Sequence, residues 1–220
     1  MSSGVSSRMG ESVDPDSQPP RPRGRPRAFN KTQAIDAAMR LFWAEGYNAA
    51  SIDRICRETG MSRASLYHDF GGKQGLFLAA ISHYVDTRLA PLAEALGPRD
   101  TLKGDLAAFF DEVVALATRD AATPGCLISC VLAEVAGANE TFRQELDNRF
   151  RALEDRIVQR LAQGNGTGAA MDERALAGML AAVARGIMLR ARSGMSVEAL
   201  HRIAAVAIDS ALTAQDRRVS

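Results

Sequence analysis

Between Ser51 and Phe70 the chain gathers side chains that can meet a nucleic acid: Arg63, Ser65, Tyr67 and His68, with Ala64 small enough for close approach. A guanidinium, two hydroxyls and an imidazole can serve base edges and phosphate oxygens alike. Their setting is equally specific. Ser51 can cap a first helix whose one face carries Ile52, Ile55 and Cys56. Gly60 stands where the backbone must turn sharply, and Ser62 can cap a second helix buried through Leu66 and closed by Phe70. The spacing predicts two short helices joined by a tight turn, with the outer side of the second shaped for a major groove.

A second chemical pair is Cys126 and Cys130, four residues apart. On one helix they share a face, with Cβ atoms roughly 5–6 Å apart, long for a disulfide. Placed in a first turn, Cys126 has its thiol pKa lowered by the helix dipole. Two readings stand: the pair holds a soft metal such as Cu(I) or is alkylated by an electrophile, or both side chains pack as small hydrophobes. Cys56 reads as a core residue of the two-helix unit.

Signals for catalysis are absent, and no cofactor is called for. Residues 164–168, Gly-Asn-Gly-Thr-Gly, lack the lysine of a phosphate-binding loop and join two helices. His68, His83 and His201 show no metal spacing, and His68 reads as a phosphate contact.

The elements that position these groups are all helical. Phe29–Glu45 carries Ile35, Ala38, Met39 and Phe42 on one face and stops at Gly46. Gly71-Gly72-Lys73 opens a fourth helix towards Ala95, bent or interrupted by Pro91. A fifth spans about 100–119, with Phe109, Phe110 and Val113 on its face. Thr123-Pro124 reads as N-cap and first helical residue of a sixth, ending near Ala136. The seventh, 139–163, repeats Phe142, Leu146, Phe150, Leu153, Ile157 and Leu161. Two more follow, about 172–192 and 196–212. The expectation is all-α, about nine helices: an N-terminal three-helix helix-turn-helix domain and a C-terminal helical domain for ligand binding and dimerisation.

Composition agrees. The 220 residues are 46% hydrophobic but only 5% aromatic, which favours alanine-rich packed helices. Net charge is only +1, yet residues 21–88 hold 11 Lys and Arg against 6 Asp and Glu, and residues 89–220 hold 15 against 17. A basic front and a mildly acidic back fit one nucleic-acid-facing domain and one with another task. No apolar run approaches the ~20 residues a bilayer span needs, and the N-terminus has no hydrophobic signal core. With three cysteines in no framework spacing, a cytoplasmic location is expected, away from membranes. Four segments follow: a disordered tail, 1–20; a basic arm, 21–28; the helix-turn-helix domain, 29–72; and the effector and dimerisation domain, 73–214. Within the arm, Arg23-Gly24-Arg25-Pro26 resembles an AT-hook, whose arginines enter a minor groove.

Residues 25–84 resemble the DNA-binding domain of TetR-family transcriptional regulators. The matching positions are Arg25, Leu41-Phe42, Gly46-Tyr47, Ser51, Ile55, Gly60, Ser62, Leu66-Tyr67, Phe70, Lys73 and Leu76. Ala50, Thr59 and Asp69 depart from the pattern, and Asp69 brings a negative charge towards the DNA side. The resemblance implies a ligand-responsive, sequence-specific repressor, not an enzyme, that binds a double-stranded palindromic operator as a homodimer through its last two helices. Arg23 and Arg25 would touch the minor groove; Ser51, Tyr67, His68 and Lys73 would hold phosphates; Arg63, Ala64 and Ser65 would face bases. A small-molecule effector would sit among the middle helices, near Phe109, Phe110, Val113, Leu127, Cys130, Val131, Glu134, Phe142 and Phe150. Some members that sense copper or electrophiles carry a Gly-Cys-Leu segment like Gly125-Cys126-Leu127. Two other classes remain: a non-specific AT-rich architectural DNA binder, towards which the arm alone points, and a helical small-molecule carrier or enzyme, which leaves the arm unexplained.

Overall fold

The computed structural model describes residues 30–99, 101–163 and 170–219. The tail, the basic arm with Arg23 and Arg25, and the loop 164–168 lie outside the described residues. Among the described residues there are nine helices and no strand.

Three of them form the N-terminal head. Helix α1, Lys31–Glu45, starts at Asn30, whose side chain accepts the N–H of Gln33. Helix α2, Ile52–Thr59, and α3, Arg63–Phe70, begin at Ser51 and Ser62, whose hydroxyls accept the N–H groups of Arg54 and Ser65. Each such cap contributes about 1 kcal/mol. Gly60 takes φ +69° between α2 and α3, a left-handed conformation that disfavours any Cβ. Thr59, the departure before the turn, has its own part there: its hydroxyl donates to the Ile55 carbonyl at 2.7 Å and accepts the Met61 N–H at 3.3 Å.

Helix α4 joins head to body as one rod. It runs Lys73–Tyr84 in α spacing, widens to a π turn over Val85–Leu89, and resumes as Ala90–Ala95. Pro91 therefore interrupts the ladder without ending the helix. It has no N–H to give Thr87, and the ladder is re-spaced across the preceding turn.

The body comprises α5 (Leu102–Thr118), α6 (a π turn Leu127–Leu132 followed by Ala133–Ala136), α7 (Glu140–Ala162), α8 (Ala170–Arg192) and α9 (Val197–Val219). Helix α8 packs against α5, α7 and α9, while the C-terminal part of α4 packs on α5. Inside, a buried ion pair joins α5 to α7: Arg160 Nε lies 2.6 Å from Asp105 Oδ2, both side chains at most 6% exposed.

The start of α6 differs from the expectation. Thr123 is no helix cap; its hydroxyl bonds Asp120 Oδ2 at 3.1 Å and its N–H bonds the Asp120 carbonyl at 3.1 Å, closing a turn instead. Gly125, at φ +81°, then gives its N–H to the Ala117 carbonyl, and Cys126 becomes the extended residue before the helix. A Cβ on Gly125 would sit 2.8 Å from the Met188 carbonyl oxygen and 2.9 Å from Cys130 Sγ. The segment is pinned to α8 by that close approach. Cys126 thus lies outside the first turn where a lowered pKa was expected.

Candidate functional site

Helix α3 buries Leu66 completely and turns Arg63, Ala64, Tyr67 and His68 outward, with Tyr67 55% exposed. Ser65 is half-buried, its hydroxyl 3.0 Å from that of Ser62. Arg63 is not idle in the free protein. Its Nε lies 3.1 Å from Asp53 Oδ1 on α2, an ion pair on the outer surface of both helices. His68 Nδ1 is 2.7 Å from Asp69 Oδ1. The departure at Asp69 thereby gives the imidazole an adjacent hydrogen-bonding partner.

Lys73 opens α4 beside this surface. Its ammonium lies 4.5 Å from the Tyr47 ring centre and donates to the Asn48 carbonyl at 3.4 Å. Partial burial lowers its pKa from the ordinary lysine value, because desolvation disfavours the charged form. Ser51 is exposed, with its hydroxyl accepting the Arg54 N–H. The structure therefore brings Ser51, Arg63, Ala64, Ser65, Tyr67, His68 and Lys73 to one end of the molecule.

Sequence reading missed two features here. Asp53 stands ten residues before Arg63 across a turn, a separation with no periodic signature. Lys31 places its ammonium 5.3 Å from the Phe70 ring centre, a contact that joins the start of α1 to the end of α3.

A cavity of about 250 Å³ lies in the body, between α4, α5, α6, α7 and α8. Of the nine residues expected around an effector, Phe109, Val113 and Phe150 line it. The others are placed elsewhere. Phe142 lies against Tyr47 and Phe77, ring centres 5.0 and 5.3 Å away, where the body meets the head. Phe110 is buried beside Phe109; Leu127 and Val131 are fully buried core residues; Glu134 is exposed. Cys130 is half-buried, and burial pushes its thiol pKa up. Cys126 does line the cavity, together with Leu89, Leu92 and Leu96 of α4, Leu153 of α7 and Met188 of α8. Val85 and Leu89 of the π turn and Leu92 just beyond it form the part of the wall that the expectation left out. Among the described residues no group of three or more His, Cys, Asp or Glu side chains is arranged to hold a metal.

Three further contacts tie the head to the body. Arg192 at the end of α8 donates to the Trp43 carbonyl of α1 at 3.3 Å. The Asn139 amide donates to Gln74 Oε1 at 3.4 Å. The third is the ring cluster of Phe42, Tyr47, Phe77 and Phe142. Met179 of α8 and Ile203 and Val206 of α9 are exposed beside one another along a shared groove, an apolar face, and Leu189 and Val197 are exposed on the same two helices.

Residues 34–80 match the sequence family described as bacterial regulatory proteins, tetR family, and residues 104–207 match the tetracyclin repressor-like C-terminal domain. Among characterised relatives, the transcriptional repressor ComR of Escherichia coli K12 is 31% identical over 83% of this chain and 89% of its own length. BdcR of the same organism, also a transcriptional repressor, is 30% identical over 84% and 90%. A cysteine mutant of the TetR-family regulator CifR, solved with a 26-bp double-stranded operator, superimposes with a TM-score of 0.75 at 28% identity, over 84% of this chain and 98% of that one. The regulator SCO4454 from Streptomyces coelicolor gives 0.71 at 25% identity, over 82% and 87%.

Proposed function

This chain belongs to the TetR family of bacterial transcriptional regulators, and we propose that it is a homodimeric repressor released from a palindromic operator by a small effector. One observation carries the DNA-binding part. Helix α3 is anchored through Leu66 and faces solvent with Arg63, Ala64, Tyr67 and His68, the side chains that groove reading needs. Arg63, Ala64 and Ser65 face the bases. Ser51, Tyr67, His68 and Lys73 hold phosphates, and Arg23 and Arg25 of the arm enter the adjoining minor groove.

The apolar face of α8 and α9 is the dimer contact, forming a four-helix arrangement with its copy. A two-fold dimer sets two α3 helices about 34–36 Å apart, one turn of B-DNA, so the operator is an inverted repeat. The regulator acts in the cytoplasm. Its effector occupies the cavity bounded by Phe109, Val113 and Phe150. Because α4 lines that cavity and also opens the head at Lys73, a ligand that favours a displaced α4 changes the spacing of the two heads.

Selection of bound sequences from a random duplex pool tests the proposal. Enrichment of an inverted repeat supports it. Enrichment of AT-rich DNA without symmetry would make the arm dominant and overturn sequence-specific repression.

A further inference from the structure

Every ionisable side chain in the cavity wall, the Cys126 thiol aside, is an arginine: Arg149, Arg156 and Arg185. Apart from that thiol and Ser129, the rest of the wall is apolar. Two of the cations are already met by carboxylates. Arg149 lies 2.8 Å from Glu145, and Arg185 lies 2.9 Å from Glu154 while its guanidinium covers the Phe150 ring at 3.8 Å.

Arg156 differs. Among the described residues its hydrogen bonds go to backbone carbonyls, Ala93 at 3.1 Å and Gly97 at 3.4 Å. Its exposed guanidinium has no carboxylate partner among the described residues. A carboxylate would take the same N–H groups in charge-assisted hydrogen bonds, roughly twice as strong.

We propose that the cavity takes a small amphipathic anion. Its apolar body lies against Leu92, Leu96, Phe109, Val113 and Leu153, and its carboxylate sits on the Arg156 guanidinium. The inference rests on the cavity being the effector site. At about 250 Å³ the space is smaller than most ligand pockets, which start near 300 Å³. It holds about eight water-sized groups at about 30 Å³ each, so the body is a short chain or one ring. A cationic ligand is repelled by Arg156, and a neutral one leaves Arg156 as it stands.

Binding at this point has a mechanical result. Ala93 lies in the last turn of α4 and Gly97 two residues past its end, and the other end of that helix opens the head. An anion that draws Arg156 away from those carbonyls unties α4 from α7 and frees the helix to shift.

The test measures the thermal midpoint of the full chain with straight-chain carboxylates from butanoate to decanoate and with benzoate. The matching alcohols and amines serve as controls, and each compound is also titrated against the protein bound to its selected operator. Carboxylates should raise the midpoint and release the duplex, while alcohols and amines do neither. Arg156→Gln should weaken carboxylate binding about 2- to 5-fold, and Arg156→Lys should recover part of it. Arg156 is exposed, so both variants should fold, as circular dichroism will check. Equal stabilisation by an alcohol, unchanged binding by Arg156→Gln, or no response to any carboxylate overturns the inference. Each of those results with selective operator binding intact leaves the repressor reading standing; loss of operator selectivity falls on that reading instead.

Discussion

Asp53 and Arg63 form an ion pair across the turn between α2 and α3, with Arg63 Nε 3.1 Å from Asp53 Oδ1. The pair sits in the open, where such bridges are weak and break readily. It therefore parks the guanidinium without blocking it. In the proposed complex Arg63 leaves Asp53 for a base edge. Asp53→Asn should strengthen operator binding a few-fold at low salt, since both the competing partner and a negative charge near DNA are gone. Arg63→Ala should lower affinity for the operator on the order of 10- to 100-fold while barely changing affinity for random DNA. Fluorescence anisotropy with both duplexes reads the two effects; equal losses on both would place Arg63 at a phosphate.

Lys73 should behave as a phosphate contact. Lys73→Ala is expected to weaken all sequences alike and reduce the salt slope of binding by about one. Its burial adds a pH signature. Desolvation lowers its pKa below the ordinary lysine value of about 10.4, so the ammonium loses its proton at less alkaline pH than a surface lysine would. The charge, and the affinity it supplies, is complete at neutral pH and fades as pH rises through that lowered value. Lys73→Arg, which stays charged, should remove the alkaline decline; a profile identical to the parent would show that Lys73 is not its source.

The buried pair of Asp105 and Arg160 should matter for stability. Arg160→Met leaves the Asp105 carboxylate buried without its cation and should cost about 3–5 kcal/mol in urea unfolding. Combining it with Asp105→Leu should recover much of that loss, since a matched apolar replacement leaves no charge behind. A double variant as unstable as the single would mean packing, and not charge, dominates at this point.

Phe142 should carry coupling between body and head. It is fully buried against Tyr47 and Phe77, so Phe142→Leu should lower stability modestly through lost ring contacts of about 0.5–1.5 kcal/mol each. Its larger effect should be on release: a ligand that still stabilises the protein should dissociate the operator less completely. Unaltered release at unaltered ligand affinity would remove Phe142 from the coupling path.

The proposed dimer rests on the α8–α9 face. Val206 is 67% exposed in the single chain. Val206→Glu should leave the protomer folded, convert sedimentation to a monomer, and abolish tight binding to a two-site operator while sparing weak half-site binding. A variant that sediments as a dimer would move the interface elsewhere.

How far these features were legible in the sequence depends on whether they are local. Ser51, Gly60 and Ser62 announced both helices of the DNA-facing unit because caps and turns are decided within four residues. The stripe of α7 was equally plain, and Arg149 and Arg156, seven apart, flank Phe150 and Leu153 on it. Two kinds of feature were hidden. The pairing of Asp53 with Arg63 and the placement of Phe142 against Tyr47 depend on how helices cross, which no spacing within one segment encodes. The second kind was a local competition misjudged: Thr123-Pro124 carries the residues of a helix start, but Asp120 captured Thr123, and the helix began after Cys126.

The π turn in α4 is one surplus residue absorbed by a helix. Each residue advances an α-helix by about 100°. Wound in unbroken α spacing, the same residues would still make a continuous rod yet would swing Leu92 and Leu96 around its axis relative to Lys73 at the other end. The head would still fold, and so would the body, but the two would be keyed more than a quarter of a turn apart. The bulge is thus the indexing mark of the molecule: it sets the angle at which the wall of the cavity and the foot of the DNA-facing unit are bolted to the same shaft.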